Sequence, residues 1–324
     1  MRIIISEDTN NFYGSKVKAL DSSIEVIAIN PMNPENPAWE NIPESDALFL
    51  SYQFLFAVRD NQKLFQPLLN LAKKMKFIQC GYAGMDDPLL QAVLKETKAI
   101  VANASGIFGI PISHYVLTQM LRWNKRVDQH IELQKKATWS PLGGDGELTG
   151  KTLVILGYGG IGKEVAKLAK AFGMNVIGIR RSPADCEFAD EVHRNEKIEE
   201  LLPMLDFLVM ALPDSEETRD IIDKDLLKKM NKNAMLINVG RGTAIVEDDL
   251  ADALNTGEIA SAALDTTKIE PLSKDSKLWT AQNCYISAHD SAHSLLSLPR
   301  AFNLFLENVV NVKKNQPIKN LFPR

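Results

Sequence analysis

Three residues whose side chains can take part in chemistry each follow an apolar, strand-like stretch in the second half of the chain. Arg241 follows AMLINVG, Glu270 lies shortly after ASAALDT, and His289 ends CYISAH. In an open parallel sheet, ligands bind outside the carboxyl ends of the strands. We therefore expect these three side chains to converge on one site.

Each of the three also has an ordinary structural interpretation when it is taken alone. An arginine after a strand is usually a surface residue, a glutamate before proline often belongs to a turn, and a lone histidine is often structural. His289 and His293 have H-x-x-x-H spacing, but no carboxylate or cysteine pattern completes a metal site. We predict no metal, and the functional interpretation depends on what stands upstream.

A glycine-rich stretch supplies that upstream context. The apolar run KTLVILG leads into GYGGIG, and the helix-like stretch KEVAKLAKAFG follows. A strand, a G-x-G-x-x-G turn and a helix, with a second strand about 20 residues on, form the setting in which this motif binds a dinucleotide. The glycines permit the tight turn, the approach of a pyrophosphate and close helix packing. An ordinary turn or another nucleotide ligand is the alternative. We predict cofactor contacts at Gly157, Gly159, Gly160, Ile161 and Gly162.

Two adjacent arginines stand at the end of the next strand-like run, MNVIGI. An NAD-binding protein usually has Asp or Glu there, which accepts hydrogen bonds from the adenosine ribose. Arg180, Arg181 and Ser182 occupy that place here, and guanidinium groups bind a 2′-phosphate through charge-assisted hydrogen bonds. We predict NADP as the preferred cofactor and NAD as the alternative, while two solvated surface arginines are the structural alternative.

The rest of the chain alternates between strand-like and helix-like stretches. Runs rich in β-branched residues recur from RIIIS to CYISAH, separated by helix-compatible segments, which is typical of parallel βαβ units. Residues 113–137 contain neither Gly nor Pro and predict one long helix or two in succession. TWSPLGGDGELTG then predicts a loop or a boundary. Two α/β halves are the simplest organisation.

Length and composition limit the classes of protein that fit. The 324 residues suit one large domain or two of ordinary size, and a composition of 45% hydrophobic and 24% charged residues suits a globular chain. A net charge of −4 gives no general attraction to nucleic acid or to an anionic membrane. No apolar run approaches a membrane span, and the start does not resemble a signal peptide. Cys80, Cys186 and Cys284 are scattered and predict buried thiols, so we expect a cytoplasmic protein.

Taken together, these motifs resemble those of the D-isomer-specific 2-hydroxyacid dehydrogenases, in their glyoxylate/hydroxypyruvate reductase-like branch. The resemblance covers nearly the whole chain and is strongest in the glycine stretch, INVGRGTAIVEDDLADALNTGEIASAALD, EPL and SAH, while CGYAGMDD resembles the substrate loop. It implies an α/β protein of two doubly wound parallel-sheet domains. A Rossmann nucleotide domain (102–289) would be inserted into a flavodoxin-like substrate domain (1–101 and 290–324). It also implies an oxidoreductase that acts on the CH–OH group of 2-hydroxy acids.

The resemblance further implies a role for each strand-end residue. Arg241 would bind the substrate carboxylate and polarise the C2 carbonyl. His289 would protonate the carbonyl oxygen as hydride arrives from nicotinamide C4, and Glu270 would orient His289 and raise its pKa. Asp265 would hydrogen-bond the nicotinamide carboxamide. Further cofactor contacts are implied at Leu212, Pro213, Val239, Gly240 and His289.

The first half of the chain holds the candidate substrate residues. By the resemblance, the backbone of Tyr82, Ala83 and Gly84 would hold the substrate carboxylate. Apart from Arg59, no basic residue stands in these loops to receive a substrate phosphate, which disfavours 3-phosphoglycerate. We expect a small or medium 2-keto acid, with D-3-phosphoglycerate dehydrogenase as the alternative within the family. Side chains that could line the pocket, or could equally be core residues, are Tyr52, Phe54, Tyr82 and Met85.

Some positions depart from the family pattern or suggest a partner. Asp290 stands where an apolar residue is common and could perturb the pKa of His289. Ser113 and His114 stand where many members have Ala-Glu, which we interpret as a difference in helix packing. Trp139 matches a tryptophan that reaches toward the partner subunit in this branch, so we expect a homodimer. The alternatives from other classes are a dinucleotide-sensing binding protein on the same scaffold and, more remotely, a methyltransferase.

Overall fold

A computed structural model describes residues 1–33, 42–143, 146–182 and 187–322. The chain divides into two compact units, Met1–Ile107 with Ser294–Arg324, and Phe108–His293. The predicted domain boundaries, after residues 101 and 289, lie a few residues before these divisions and stay a prediction. No helix within the described ranges is long and apolar enough to cross a bilayer.

The first unit contains a five-stranded, wholly parallel sheet with the strand order β2-β1-β3-β4-β5. This is the flavodoxin-like order, with the switch point between the first and third strands. The predicted fold class of this unit is therefore confirmed. Its elements are β1 (Arg2–Ser6), α1 (Glu7–Leu20), β2 (Glu25–Ile29), β3 (Ser45–Leu50), α2 (Tyr52–Asp60), α3 (Phe65–Lys73), β4 (Met75–Cys80), α4 (Pro88–Glu96), β5 (Ile100–Ala102) and, at its C-terminal end, α11 (Ser297–Lys313).

The strands of this sheet are apolar because both faces are buried. On one face, Leu48 and Ile78 belong to a core that also takes in α2, α3 and α4. On the other face, the ring of Phe49 lies 5.4 Å from that of Phe302 and 5.3 Å from that of Phe305. The C-terminal helix α11 therefore completes the core of the unit that the N-terminal strands begin.

A buried amide joins α11 to the sheet. Asn308 is fully buried, and its Nδ2 donates to Gln79 Oε1 at 2.8 Å and to the Lys319 carbonyl at 3.0 Å. Its Oδ1 accepts from the Lys319 amide at 2.8 Å. Gln79 in turn donates to the Asn103 carbonyl at 2.8 Å. Asn308 thus satisfies polar groups of a strand and of the C-terminal segment, and Gln79 extends this network to the loop after β5.

The second unit contains a seven-stranded parallel sheet with the order β12-β11-β10-β9-β6-β7-β8. This order contains the Rossmann arrangement 3-2-1-4-5-6, so the predicted nucleotide-binding fold is confirmed. Its elements are α5 (Gly109–Asn124), α6 (Val127–Lys135), β6 (Thr152–Leu156), α7 (Gly160–Ala171), β7 (Asn175–Ile179), β8 (Glu191–His193), α8 (Ile198–Leu201), β9 (Phe207–Met210), α9 (Lys224–Lys229), β10 (Met235–Asn238), α10 (Glu247–Thr256), β11 (Ser261–Leu264) and β12 (Cys284–Ile286).

Successive residues of these strands enter two different cores. Val154 and Leu208 belong to one buried cluster, whereas their neighbours Ile155 and Val209 belong to the other. Side chains alternate across a strand, so the sheet is covered on both faces, which explains its continuous apolar runs.

The structure refines the elements expected between the strands. Of the two alternatives for residues 113–137, two helices in succession is correct: α5 and α6 are separated by Arg126, which has a left-handed φ of 51°. Strand β8 lacks an apolar run and was not predicted from the sequence. Among the cysteines, Cys80 is buried, Cys284 is half-buried and Cys186 lies outside the described residues. Burial raises the pKa of both described thiols to about 12.

We expect Asn308→Ala to lower the free energy of unfolding by about 2–4 kcal/mol, because it leaves the buried groups of Gln79 and Lys319 without partners. Urea denaturation of the parent and the variant measures the difference. The control is Asn303→Ala on the exposed face of the same helix, which should change stability by no more than about 0.5 kcal/mol. Equal effects of the two substitutions would contradict this role for the buried amide.

Candidate active site

His289 and Glu270 form a hydrogen-bonded pair. His289 Nδ1 lies 2.8 Å from Glu270 Oε2. The other carboxylate oxygen, Oε1, accepts from the Thr267 amide at 3.1 Å, so both oxygens of Glu270 have partners. Because a carboxylate can only accept, Nδ1 carries the proton in this pair, and Nε2 is the ring nitrogen that can face a ligand.

Charges around the pair set its protonation. The hydrogen bond to Glu270 raises the pKa of His289, against burial and the positive charge of Arg241, which lower it. Burial raises the pKa of Glu270, but the hydrogen bond and charge of His289 outweigh it, so this pKa is lowered overall. The imidazolium form of His289 therefore persists to a higher pH than in an isolated histidine.

The turn that carries His289 is built on the buried side chain of Asp265, which is 2% exposed. Its Oδ1 accepts from Ser287 Oγ at 2.6 Å and from the amides of Asp290 and Ser291 at 3.0 and 3.1 Å. The Ser291 hydroxyl also hydrogen-bonds Oδ2. The His289 amide donates to the Asp265 carbonyl at 2.8 Å. Asp265 thus holds the turn on both sides of the histidine.

Arg241 lies at the carboxyl end of β10, on the same edge of the sheet. Its positive charge lowers the pKa of both Glu270 and His289, so the three groups lie within electrostatic reach of one another. Its Nη1 donates to the Gly240 carbonyl at 2.9 Å, and Asn238 Nδ2 donates to the Arg241 carbonyl at 3.0 Å. The structure therefore brings together the three residues that the sequence singles out.

Gly242 fixes the loop of Arg241 against the loop of Glu270. A Cβ atom at Gly242 would lie 1.9 Å from the Thr267 carbonyl carbon and 2.3 Å from its oxygen. Only a glycine fits there without moving the backbone of Thr267, whose amide holds Glu270. The NVGRG motif therefore has a geometric reason for its last glycine.

The glycine stretch forms a tight turn with open space above it. Gly157 has a left-handed φ of 100°, and a Cβ there would lie 2.6 Å from the Ala211 carbonyl oxygen. Around Gly159, by contrast, nothing described lies within 4 Å of such a Cβ. Helix α7 begins at Gly160, so its first amides face this space. The turn fits a pyrophosphate, as the sequence predicts.

Arg180, Arg181 and Ser182 follow directly on β7. Arg180 is half-buried and its amide donates to the His193 carbonyl at 3.0 Å, whereas Arg181 and Ser182 are exposed. The hydroxyl of Tyr158, from the glycine stretch, donates to the Glu187 carbonyl at 2.6 Å. The amides of Gly157 and Tyr158 also donate to the Ile179 carbonyl at 3.0 and 2.9 Å, so the end of β7 is held against the glycine turn.

The remaining predicted cofactor contacts lie at the ends of β9 and β10. Leu212 and Pro213 follow β9, and Val239 and Gly240 follow β10. A Cβ at Gly240 would lie 2.6 Å from the Leu212 carbonyl oxygen, so the two loops touch. They share the edge of the sheet with the glycine turn and with Arg241, while their contacts with a cofactor stay a prediction.

Comparison with known proteins identifies the family. Residues 117–291, more than half of the chain, match the model of the D-isomer specific 2-hydroxyacid dehydrogenase NAD binding domain. The chain belongs to this family. The predicted family and the predicted class of NAD(P)-dependent oxidoreductase are confirmed.

Individual relatives agree with this assignment. The glyoxylate reductase of Aeropyrum pernix is 38% identical over 266 residues, covering 79% of this chain and 79% of that protein. The D-3-phosphoglycerate dehydrogenase of Methanocaldococcus jannaschii is 30% identical over 97% of this chain, which spans only 58% of that relative. A crystal structure of a D-isomer specific 2-hydroxyacid dehydrogenase family protein from Aeromonas salmonicida has a TM-score of 0.83 at 30% identity, with 99% of this chain and 98% of that chain covered.

The substrate residues predicted for this 2-hydroxyacid dehydrogenase family member lie in the first unit. Tyr52 begins α2, is 40% exposed and lies 5.9 Å, ring to ring, from Phe56. Phe54 and Met85 are buried in the core, so the core interpretation is correct for both. The loop after β4 is held by the Ala104 amide, which donates to the Tyr82 carbonyl at 2.6 Å; Ala83 and Gly84 follow in this loop.

Arg59 was considered above as a residue that could bind a substrate phosphate, but its guanidinium group already has partners within the first unit. It forms an ion pair with Asp87, whose side chain caps the start of α4 by accepting from the Leu89 amide at 2.8 Å. The guanidinium carbon also lies 5.8 Å from the ring centre of Phe56. Arg59 therefore has a structural role within the first unit.

Two further expectations concern a partner and a metal. Trp139 is fully exposed, and no residue of α6 is buried; Val127 and Ile131 of this helix are 39% and 43% exposed. The helix and Trp139 thus present apolar surface.

Among the described residues, no group of three or more His, Cys, Asp or Glu side chains could hold a metal ion.

The residues that support Asp265 were not predicted from the sequence. Ser287 and Ser291 stand two positions on either side of His289, and this symmetric spacing is a signal that could have suggested them. Tyr115 lies on helix α5, far from Ser287 in the chain, and its hydroxyl is 2.9 Å from Ser287 Oγ. Since Ser287 donates to Asp265, Tyr115 donates to Ser287, and no local pattern could have predicted this contact.

We expect Glu270→Gln to lower the pKa of His289, because a neutral amide stabilises the imidazolium less than a carboxylate does. The imidazole carbon-bound protons of the five histidines report this by NMR titration, with His289→Asn assigning the resonance. Glu191→Gln, which removes the carboxylate 2.7 Å from His193, is the matched control and should leave His289 unchanged. An unshifted His289 in the Glu270 variant would contradict the pairing.

Proposed function

We propose that this chain is an NAD(P)-dependent D-2-hydroxyacid dehydrogenase that interconverts a 2-keto acid and the corresponding 2-hydroxy acid, with His289 as the acid and base. The observation that carries this is the His289–Glu270 pair within reach of Arg241, on the edge of the sheet that holds the glycine turn. The nicotinamide, when bound, supplies the hydride at C4 that reaches C2 of the substrate.

Each residue has a defined task in the proposed reaction. Nε2 of His289 gives a proton to the C2 oxygen during reduction and takes it back during oxidation. Glu270 keeps Nδ1 protonated and holds the ring, and the raised pKa keeps the acid form available near neutral pH. Arg241 binds the substrate carboxylate with its planar fork and polarises the carbonyl. The roles predicted for Tyr52, Tyr82, Ala83, Gly84 and Asp265 remain part of this proposal.

For the substrate, we propose a small or medium 2-keto acid without a phosphate group. The support is Arg59, which is paired with Asp87 within the first unit. A relative of this chain carries the name D-3-phosphoglycerate dehydrogenase, so a phosphorylated substrate is the alternative within the family. An assay that includes both kinds of acid separates the two.

For the cofactor, we propose that NADP is preferred. Arg180, Arg181 and Ser182 follow β7 with no carboxylate among them, at the place where the adenosine ribose of a dinucleotide lies in this fold. A carboxylate there would repel a 2′-phosphate, whereas guanidinium groups attract it.

For the assembly, we propose a homodimer. The support is the exposed apolar surface of α6 and the fully exposed Trp139, since contiguous apolar surface commonly marks an interface. The cytoplasmic location stays a prediction from the sequence.

The decisive test of the activity is a panel of 2-keto acids, including glyoxylate, hydroxypyruvate and 3-phosphohydroxypyruvate, assayed with NADPH and NADH by the loss of nicotinamide absorbance. We expect turnover of an unphosphorylated acid, and His289→Ala should lower kcat by about 10²–10⁴-fold while leaving cofactor affinity nearly intact. His293→Ala, an exposed histidine four residues on, is the control and should change kcat by less than a few-fold. No turnover with any acid would favour a dinucleotide-sensing protein.

A second test addresses the cofactor. We expect Arg180→Asp to reverse the preference for NADPH, because it removes a phosphate contact and adds an acceptor for the ribose hydroxyls. A hydrogen bond to a charged group contributes about 1.5–3 kcal/mol, and partial exposure places the effect near the lower end, about 10-fold. kcat/KM for both cofactors is measured at fixed ionic strength, since salt screens phosphate binding. A parent enzyme that prefers NADH would refute the proposal.

A further inference from the structure

The short strand β8 brings a third arginine to the end of β7. β7 and β8 are parallel neighbours, with Ile179 paired to His193. The next residues along the two strands, Arg180 and Arg194, therefore stand side by side, and the Arg180 amide donates to the His193 carbonyl at 3.0 Å. Adjacent strands are about 4.8 Å apart, well within the length of an arginine side chain.

Arg194 continues the line of β8 beyond its last residue. Its φ of −83° and ψ of 167° are extended, and its side chain is exposed. Its carbonyl accepts from the Lys197 amide at 3.1 Å, which starts the turn into α8. The backbone position of Arg194 is therefore held on both sides, by the strand before it and by the turn after it.

The acidic side chains around these strand ends have other partners. Glu187 pairs with Lys163 at 2.6 Å, and Glu191 accepts from His193 at 2.7 Å. Glu196 is exposed two residues beyond Arg194 and forms no ion pair with it. Within the described ranges, neither Arg181 nor Arg194 has a carboxylate within 4.0 Å. By contrast, Lys163 is paired with Glu187 and Lys197 with Glu200.

Two guanidinium groups that lack carboxylate partners at neighbouring strand ends repel each other unless an anion lies between them. A phosphate dianion has three acceptor oxygens and fits two planar, forked donors at once. The amides of Gly157 and Tyr158 donate to the carbonyl of Ile179, the last residue of β7, at 3.0 and 2.9 Å, so the arginines that follow β7 lie beside the glycine turn, on the side where the adenosine ribose extends.

We propose that Arg194, together with Arg180 and Arg181, binds the 2′-phosphate of NADP, so that strand β8 as well as the end of β7 determines cofactor specificity. This inference rests on the proposed function only through its preference for NADP. It adds a residue that neither the glycine motif nor the arginine pair after β7 indicates.

The test is the affinity of the parent and of Arg194→Ala for NADPH and NADH, measured by fluorescence titration at fixed ionic strength. We expect the Kd for NADPH to rise about 10-fold and the Kd for NADH to stay within about two-fold. Arg194→Lys keeps the charge but loses the forked guanidinium group, so its affinity for NADPH should lie between those of the parent and the Ala variant. Lys197→Ala, at the same strand end but paired with Glu200, is the matched control and should leave both affinities unchanged.

The outcomes separate this inference from the proposed function. Arg194→Ala with unchanged NADPH affinity, in a parent that prefers NADPH and reduces a 2-keto acid, overturns the inference alone. Equal weakening of both cofactors also overturns it, because it assigns Arg194 to the adenine or to the fold. If the protein reduces no 2-keto acid, but Arg194→Ala selectively weakens the binding of NADPH, the inference is supported and the proposed activity is wrong. If the parent protein binds NADH more tightly than NADPH, the inference is wrong, whatever the turnover of 2-keto acids.

Discussion

The buried carboxylate of Asp265 is the interaction on which the geometry of the candidate site depends. An ionised carboxylate is costly to bury unless its oxygens accept hydrogen bonds. Here the turn that includes Ser287 and Ser291 wraps around it and supplies two hydroxyl and two amide donors. His289, in the middle of the turn, adopts a left-handed φ of 53°, which costs a non-glycine residue about 1–3 kcal/mol. The donors that the turn brings to Asp265 offset this strain, and the histidine is held where Glu270 can reach it.

The same edge of the sheet is packed by backbone rather than by side chains. Gly242 lies directly against the backbone of Thr267, and Gly157 lies against that of Ala211. Because no side chain fills these contacts, the loops after successive strands lie close together while the space outside them stays available for a ligand. The candidate catalytic residues Arg241, Glu270 and His289 can therefore lie on different neighbouring loops and still be close to one another.

The sequence predicted well those features that depend on local patterns. Continuous apolar runs identify strands buried on both faces, and the glycine spacing identifies the turn before α7, so the fold and the strand-end residues could be predicted. Strand β8 was missed because only three residues, Glu191 to His193, form it, and its pairing with β7 defines it more than its composition does. The contact of Tyr115 with Ser287, which supports Asp265, could not be predicted either, since these two residues are 172 positions apart. Likewise, only burial decides between pocket and core for Phe54 and Met85.

The charges at the site also link the binding of a substrate to the protonation of His289. Arg241 lowers the pKa of His289, while Glu270 and Asp265 raise it. On the proposed function, a substrate carboxylate bound to Arg241 neutralises the positive charge that opposes the imidazolium. The pKa of His289 then rises further as the keto acid binds, so the bound state holds its proton more firmly than the empty site does. A 2-hydroxy acid carries the same carboxylate, and in oxidation this effect opposes the neutral histidine that must accept the proton. On the proposed function, Arg241, Glu270 and the bound carboxylate together therefore keep His289 in the protonated form that reduction requires.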